Sequence, residues 1–234
     1  MPVLLLAIYL LVFAILALAV FLVMGMIQTK GAIARALNMS LFLVTLPRDR
    51  TVLEQKTDKE LISVMEQLYA SFTNIHARGW NKFVYGEPYL ALEMSVHHLG
   101  EEIHFYIAVP RGFEQTLQQS VQGIYPDAEV TKIKDYNIFN PRGVTAGAYL
   151  KQKAHPILPL KTYTQLEADP FGAFVAAFSK LQREGEGGTI QILIRPSHRE
   201  DIRSLSQKVA HEMQQGINFG KALALAKKSK SKLK

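Results

Sequence analysis

The longest apolar segment of the chain lies at its amino end. Val3 to Ile27 contains 25 residues without a charged side chain. A helix of that length spans about 37 Å, which is enough to cross a bilayer with some tilt. We therefore predict a transmembrane anchor over residues 1–29. A secretory signal peptide is the alternative, although such a peptide usually has a basic stretch before a shorter apolar core.

Basic residues follow this apolar segment directly. They are Lys30, Arg35, Arg48 and Arg50. Because segments rich in lysine and arginine stay on the cytoplasmic side, we predict a single pass with the amino terminus outside and the rest of the chain in the cytoplasm. Residues 31–38 are predicted to form a short juxtamembrane helix whose basic side faces the lipid headgroups.

From Met39 onward, the apolar periodicity changes in an order that indicates a fold. The apolar run Met39–Leu46 suits a buried strand, and Asp58–His76 carries apolar residues at helical spacing. After a loop at 79–88, two alternating segments, a helix that begins at Pro110 and a last alternating strand follow. The order strand, helix, strand, strand, helix, strand is that of a ferredoxin-like βαββαβ unit, with two helices on one face of an antiparallel sheet. We predict this α+β unit over residues 30–136.

The two alternating segments also predict the register of a hairpin. The turn is placed at Leu99-Gly100. The predicted pairs are Val96 with Ile103, Met94 with Phe105, Leu92 with Ile107, and Leu90 with Val109. In this register every apolar side chain falls on one face. The residues predicted for the other face are Ser95, His97, Glu102, His104 and Tyr106.

Residues 137–226 are predicted to form a second, partial βαβα unit. A turn-rich connector leads to short extended pieces, a helix that begins after Asp169-Pro170, the strand TIQILIRP and a long C-terminal helix that ends near Ala226. If this unit repeats the first plan, a strand–helix–strand portion is missing. We expect that portion to come from further chain or from a partner.

Charge is concentrated in the last residues. The net charge is +7, and six lysines without an acid lie between Lys221 and Lys234. Residues 227–234 are predicted to be a disordered lysine-rich tail that binds either anionic lipid or nucleic-acid phosphate. The predicted membrane or phosphate contacts are Lys30, Arg35, Lys227, Lys228, Lys230, Lys232 and Lys234.

The segment GINFGK, residues 216–221, resembles the start of a phosphate-binding loop but fails its requirements. Three residues separate Gly216 from Gly220, where the motif needs four, and Ala222 occupies the position of the hydroxyl that binds magnesium. The segment before it is also helical in pattern, whereas a P-loop follows a strand. We predict no nucleotide site here.

The remaining candidates for a metal or catalytic site are the histidine and glutamate side chains near the hairpin turn. His97, His98 and His104 lie near Glu101 and Glu102, but hairpin geometry does not bring enough of them into one tetrahedral zinc site, and a solvated strand face is favoured. Cysteine is absent, and no nucleophile-elbow motif occurs. The predicted protein is not an enzyme and has no cofactor or metal. Trp80 and Tyr85, beside Lys82 in the predicted loop, are interpreted as packing residues.

Several segments together resemble a known family. They are ALNMSLFLVTLPR, IHFYIAVPRGFEQTLQQSVQGIYPDAEV, DYNIFNPRG followed by AGAYLK, LPLKTYTQLEADPFGAFVAAFSKL, and GEGGTIQILIRP. Over residues 30–220 the chain resembles the amino-terminal, membrane-anchored region of bacterial conjugative DNA-transfer ATPases, which are type IV secretion proteins with a HerA-like motor domain. The Walker A and Walker B strands of that motor are absent here, so the resemblance implies a docking or assembly module and no catalysis.

Three hypotheses follow. The first is a bacterial inner-membrane docking module for a secretion or DNA-transfer ATPase, with lipids, the ATPase or further copies of itself as partners and indirect association with DNA. The second is an independent single-pass scaffold that binds anionic lipid. The third is a membrane-bound enzyme, which predicts a pocket of converging polar groups with strongly shifted pKa values.

Overall fold

The computed structural model describes residues 2–46, 58–97, 102–158, 160–165, 169, 171–181, 185–196 and 200–231. The helices are α1 (Pro2–Leu37), α2 (Asp58–Ser71), α3 (Gly79–Tyr85), α4 (Glu114–Ile124), α5 (Gly172–Phe178), α6 (Glu200–Gln214) and α7 (Phe219–Ser231). The strands are β1 (Met39–Thr45), β2 (Leu90–Val96), β3 (Ile103–Pro110), β4 (Glu129–Ile133) and β5 (Gly188–Ile194). Short 3-10 turns occur at Phe72–Asn74, Arg111–Phe113 and Tyr163–Gln165.

The protein is an α+β fold with a long apolar helix at its amino end and one five-stranded sheet. The strand order is β4-β1-β3-β2-β5, and each neighbouring pair is antiparallel. The predicted α+β class and the predicted amino-terminal helix are thus confirmed. The hairpin register is confirmed for Val96 with Ile103, Met94 with Phe105, and Leu92 with Ile107. The predicted turn residues Leu99 and Gly100 lie outside the described residues.

The main core lies between the sheet and helices α2 and α4. Its members come from the four strands β1 to β4, from these two helices, and from the turns that follow α2 and α4. The buried members are Phe42, Leu68, Phe72, Ile75, Leu90, Ile107, Val109, Leu117, Val121, Ala128 and Val130. The helical spacing in α2 and α4 and the alternation in the strands place these side chains on facing surfaces.

An ion pair and a hydrogen bond link the start of α4 to two strands. Glu114, at the start of α4, accepts hydrogen bonds from Ser40 of β1 and from Nζ of Lys132 of β4 at 2.8 Å. The hydrogen bond from Lys132, followed by the one from Ser40, lowers the pKa of this carboxyl group. The start of α4 is therefore tied to β1 and to the edge strand β4.

The strand predicted for the second unit belongs to the first sheet. β5 pairs with β2 from Leu90↔Ile194 to Val96↔Gly188. The chain accordingly divides into one compact unit of residues 1–143 and 171–196 and another of residues 144–170 and 197–234, instead of separating at residue 137. The physical reason is that β2 would otherwise be an edge strand with unpaired backbone groups, and periodicity identifies a strand without identifying its neighbour.

The second compact unit contains α6 and α7 in place of the predicted single long helix. Gly216 has a φ of +84°, which ends the helical path, and Oδ1 of Asn218 accepts a hydrogen bond from N of Lys221 at 3.0 Å. Asn218 is thus the N-cap of α7. The segment GINFGK therefore comprises the end of the turn between the two helices, residues 216–218, and the first three residues of α7. These helices pack with residues of the connector, and the buried members of this core are Ile157, Val209, Ala222 and Ala226.

The predicted disordered tail also differs from the structure. Helix α7 continues through Lys227 and Lys228 to Ser231, so residues 227–231 have helical backbone. Alanine, leucine and lysine are all good helix formers, and neither proline nor glycine interrupts them here. The short extended pieces expected between 149 and 163 are not strands within the part of that segment that the structure describes.

Candidate membrane-proximal site

The end of α1 and the short helix α3 form the best-defined site in the first compact unit. α1 is a continuous helix of 36 residues, and its stretch Leu5–Leu37 is long and apolar enough to cross a membrane. The predicted juxtamembrane helix is therefore the last part of the same helix. Residues 79–85, predicted as loop, form α3 and lie against this last part.

Gly31 allows α1 and α3 to approach closely. A Cβ atom added at Gly31 would lie 2.1 Å from the carbonyl oxygen of Val84 and 2.9 Å from its carbonyl carbon. Gly31 is buried, although the residues on either side of it are exposed. Only glycine leaves enough room for the backbone of α3 at this point.

Arg35, one turn further along α1, holds the loop that follows α3. Its Nη1 donates hydrogen bonds to the carbonyl oxygens of Tyr85 and, at 2.8 Å, of Glu87. Its guanidinium carbon lies 5.3 Å from the ring centroid of Tyr89, an arrangement typical of a cation–π contact. Gly86 has a φ of +71°, and a Cβ at Gly86 would lie 2.8 Å from Nη1 of Arg35. The loop therefore depends on glycine for both its conformation and its fit around Arg35.

An open cavity of about 310 Å³ lies beside this contact. Its lining includes the cations Arg35, Lys82 and Arg195 and the carboxylate of Glu87. Lys82 and Glu87 form an ion pair. Nε of Arg35 is buried and has no hydrogen-bond partner among the described residues. The excess of positive charge suits an anionic group such as a lipid headgroup phosphate.

The outer face of the sheet carries a second cluster, which is organised around Glu93. Oη of Tyr136 donates a hydrogen bond to Oε2 of Glu93 at 2.7 Å, and Nε2 of Gln191 donates to Oε1 at 2.6 Å. Oη of Tyr106 and Nε2 of His97 are hydrogen-bonded at 2.8 Å. The rings of Tyr106 and Tyr136 stack with centroids 4.5 Å apart. The cluster joins β2, β3 and β5 to the segment that follows β4.

This cluster replaces the solvated strand face that the sequence favoured. Ser95 is fully buried and Tyr106 is 3% exposed. Burial raises the pKa of Tyr136 to about 12, and the hydrogen bond to Glu93 also favours the protonated phenol. Burial, followed by the charge of Glu93, raises the pKa of Tyr106. The ring centroids of His97 and His104 are 5.1 Å apart. No group of three or more metal-ligating side chains is found among the residues that the structure describes.

Comparison with known families assigns most of the chain. A family model for a domain of unknown function, DUF8128, matches residues 45–232. The chain belongs to this family. No curated protein and no solved structure matches it. The matched region includes α3, the cluster around Glu93 and both helices of the second compact unit. Helix α1, with Gly31 and Arg35, precedes the matched region.

The predicted contact residues fall on both sides of the DUF8128 boundary and in both compact units. Lys30 is exposed on α1, and Arg35 binds carbonyl groups of the α3 loop, a role that the sequence prediction did not include. Lys227 and Lys228 are exposed on α7. Lys230 has helical backbone, but its side chain is not among those that the structure describes. Lys232 and Lys234 lie outside the described residues. The sequence analysis missed Gly31 and Gly86. Each is a single glycine in a segment without any other unusual feature, so the sequence does not indicate its role.

Proposed function

We propose that the protein is a membrane-anchored, non-catalytic docking module of a type IV secretion or conjugative DNA-transfer ATPase. In this proposal α1 crosses the bacterial inner membrane once, with the amino terminus outside and both compact units in the cytoplasm. DNA associates only indirectly, through the ATPase. The contact of Gly31 and Arg35 with the α3 segment carries the proposal, because it fixes the sheet to the end of an apolar helix.

The topology of the sheet supports the family resemblance. The order β4-β1-β3-β2, with α2 and α4 packed in one core against it, agrees with a ferredoxin-like unit at residues 30–136. β5 extends this unit at the β2 edge. A rigid unit of this kind is suited to present a surface at a constant distance from the membrane.

The outermost strand β5 is the best candidate for the docking surface. It is the last strand of the sheet in the described part of the chain, so its far side offers backbone groups to a partner strand. Its side chains Ile192 and Leu193 are 40% and 62% exposed. Apolar residues at such an edge favour a protein partner over solvent.

Site-specific photocrosslinking in living cells tests this proposal. A benzoylphenylalanine is placed at Leu193 or, as the matched control, at Gln122, which is exposed on α4. The proposal predicts an adduct between position 193 and the DNA-transfer ATPase of the same cell, and much less from position 122. Absence of the ATPase from the adducts of position 193 would contradict the docking role.

The second candidate function is an independent scaffold that binds anionic lipid. The cavity lined by Arg35, Lys82 and Arg195 favours it. Mass spectrometry of the purified chain distinguishes this function by the lipids that it retains. Selective retention of phosphatidylglycerol, reduced by Arg195→Gln, without any ATPase adduct from position 193, would favour the scaffold.

A further inference from the structure

Helix α3 has an exposed aromatic surface. Trp80 is 73% exposed, Tyr85 is 44% exposed and Phe83 is 36% exposed. The rings of Trp80 and Phe83 stack with centroids 5.2 Å apart, so these two side chains act as one apolar patch. The sequence interpretation of Trp80 and Tyr85 as packing residues is therefore wrong. A patch of large aromatic side chains on the surface of a protein usually marks a site of contact with another protein, a ligand or a membrane.

The position of α3 along α1 indicates what covers this patch. The apolar stretch of α1 ends at Ile27, Gln28 lines the cavity together with Phe83, and Gly31 lies against Val84. With a rise of about 1.5 Å per residue, Gln28 and Gly31 lie about 1.5 and 6 Å beyond Ile27 along the helix axis. The headgroup layer on one side of a bilayer is roughly 5–8 Å thick. α3 is therefore held at the depth of the headgroups.

We propose that Trp80, Phe83 and Tyr85 insert into the boundary between headgroups and acyl chains of the same bilayer that α1 crosses. This inference rests on the membrane anchoring in the proposed function. Tryptophan and tyrosine prefer this boundary because their rings are apolar and their N–H and O–H groups can bind water or headgroups. Lys82, between Trp80 and Phe83 in sequence, is held in an ion pair with Glu87, so the membrane contact rests on the three aromatic side chains. The patch is a second membrane contact that orients the sheet.

The chain offers a direct probe, because Trp80 is its single tryptophan. The full chain is reconstituted in vesicles of phosphatidylcholine and phosphatidylglycerol, and flotation on a density gradient first establishes insertion. The phosphatidylcholine is then replaced by a form brominated either near the headgroup end or near the methyl end of the acyl chain. Quenching of the Trp80 fluorescence reports the depth of the ring.

The matched control moves the tryptophan to the other end of the sheet. In the double variant Trp80→Phe, Phe105→Trp, the probe replaces a side chain that is 56% exposed. Phe105 lies five residues before Pro110, which pairs with Met39 beside the end of α1. This separation corresponds to about 17 Å along the strand. The control probe should be accessible to aqueous iodide and insensitive to brominated lipid.

The inference predicts that lipids brominated near the headgroup end quench Trp80 by at least about half, and quench it more than lipids brominated near the methyl end. The tryptophan at position 105 should show no such quenching. If the chain floats with the vesicles but Trp80 is quenched only by iodide, the patch is not in the bilayer and the inference is wrong, while the membrane anchor stands. If the chain does not float, the membrane anchor and this inference both fail.

Discussion

Replacement of Gly31 by alanine tests the contact that joins the apolar helix to the sheet. The added Cβ would lie 2.1 Å from the carbonyl oxygen of Val84, whereas ordinary contacts begin at 3.4 Å, so the two helices must separate by about 1.3 Å. Overpacking of this kind costs about 1–3 kcal/mol. Alanine in a helix is about 0.5–1 kcal/mol more favourable than glycine. Because the added Cβ meets a backbone carbonyl and not a movable side chain, the cost lies in the upper part of that range, at about 2–3 kcal/mol, and the net expected loss is roughly 1–2.5 kcal/mol of local stability.

Hydrogen exchange of the reconstituted chain measures this loss. A change of about 1.4 kcal/mol corresponds to a tenfold change in an opening equilibrium. The backbone amides of residues 79–85 should therefore exchange about tenfold faster in Gly31→Ala than in the unmodified chain. The matched control is Gly25→Ala in the same helix, where an added Cβ meets no atom within 4 Å and no change in exchange at α3 is expected.

Two results would refute this reasoning. Unchanged exchange at residues 79–85 in Gly31→Ala would show that the close approach does not hold α3 in place. An equal increase in Gly25→Ala would show that the effect comes from α1 itself and not from its contact with Val84.

Three further predictions concern the two cores and the outer cluster. Leu117→Ala, at a fully buried position, should lower the free energy of unfolding by about 2–5 kcal/mol in urea titrations, and a loss below about 1 kcal/mol would contradict the assigned core. Because the pKa of Tyr136 is raised from 10 to about 12, its contribution to stability is complete below pH 10 and is lost as the pH rises from 10 to 12. In an absorbance titration at 295 nm, one phenol should ionise late in the unmodified chain, and this late step should be missing in Tyr136→Phe. The same titration curve for both proteins would exclude the burial of this ring. Gly216→Ala, at a φ of +84°, should lower the stability of the helix pair by about 1 kcal/mol, whereas Gly147→Ala, which meets no atom within 4 Å, should be neutral. Thermal unfolding with equal midpoints for both variants would contradict the need for glycine at this turn.

Local periodicity predicted α2, α4 and the strands β1 to β4 well because each of them buries one face. The apolar run before Lys30 predicted α1, and the strict alternation in two segments predicted the register of β2 and β3. A slip of one residue would have moved every apolar side chain to the other face, so the pattern itself excludes other registers.

Contacts between distant segments could not be predicted from local periodicity. The pattern TIQILIRP identified β5 as a strand, but its pairing with β2 depends on which edge is unoccupied in three dimensions. The burial of the outer face depends on Tyr136, which follows β4 in a stretch without periodicity. Neither fact has a local signal in the sequence.

The site between α1 and α3 was missed for a related reason. Gly31 and Gly86 are ordinary glycines in sequence, and only the approach of α3 gives them a role. Arg35 was assigned to lipid because basic residues after an apolar helix usually face headgroups. In the structure its guanidinium group is bound to carbonyl oxygens and stacked on Tyr89. The break at Gly216 was likewise hidden, because apolar residues continue at near-helical spacing across it.

The most direct test of the docking role is the affinity of the chain for the DNA-transfer ATPase of its own organism. The full chain in lipid nanodiscs is titrated with the purified ATPase, and the titration is repeated with Leu193→Asp, which places a charge on the exposed edge strand β5. The docking account predicts saturable binding that the substitution weakens by about tenfold or more. Absence of binding, or binding of equal affinity by the variant, would contradict it.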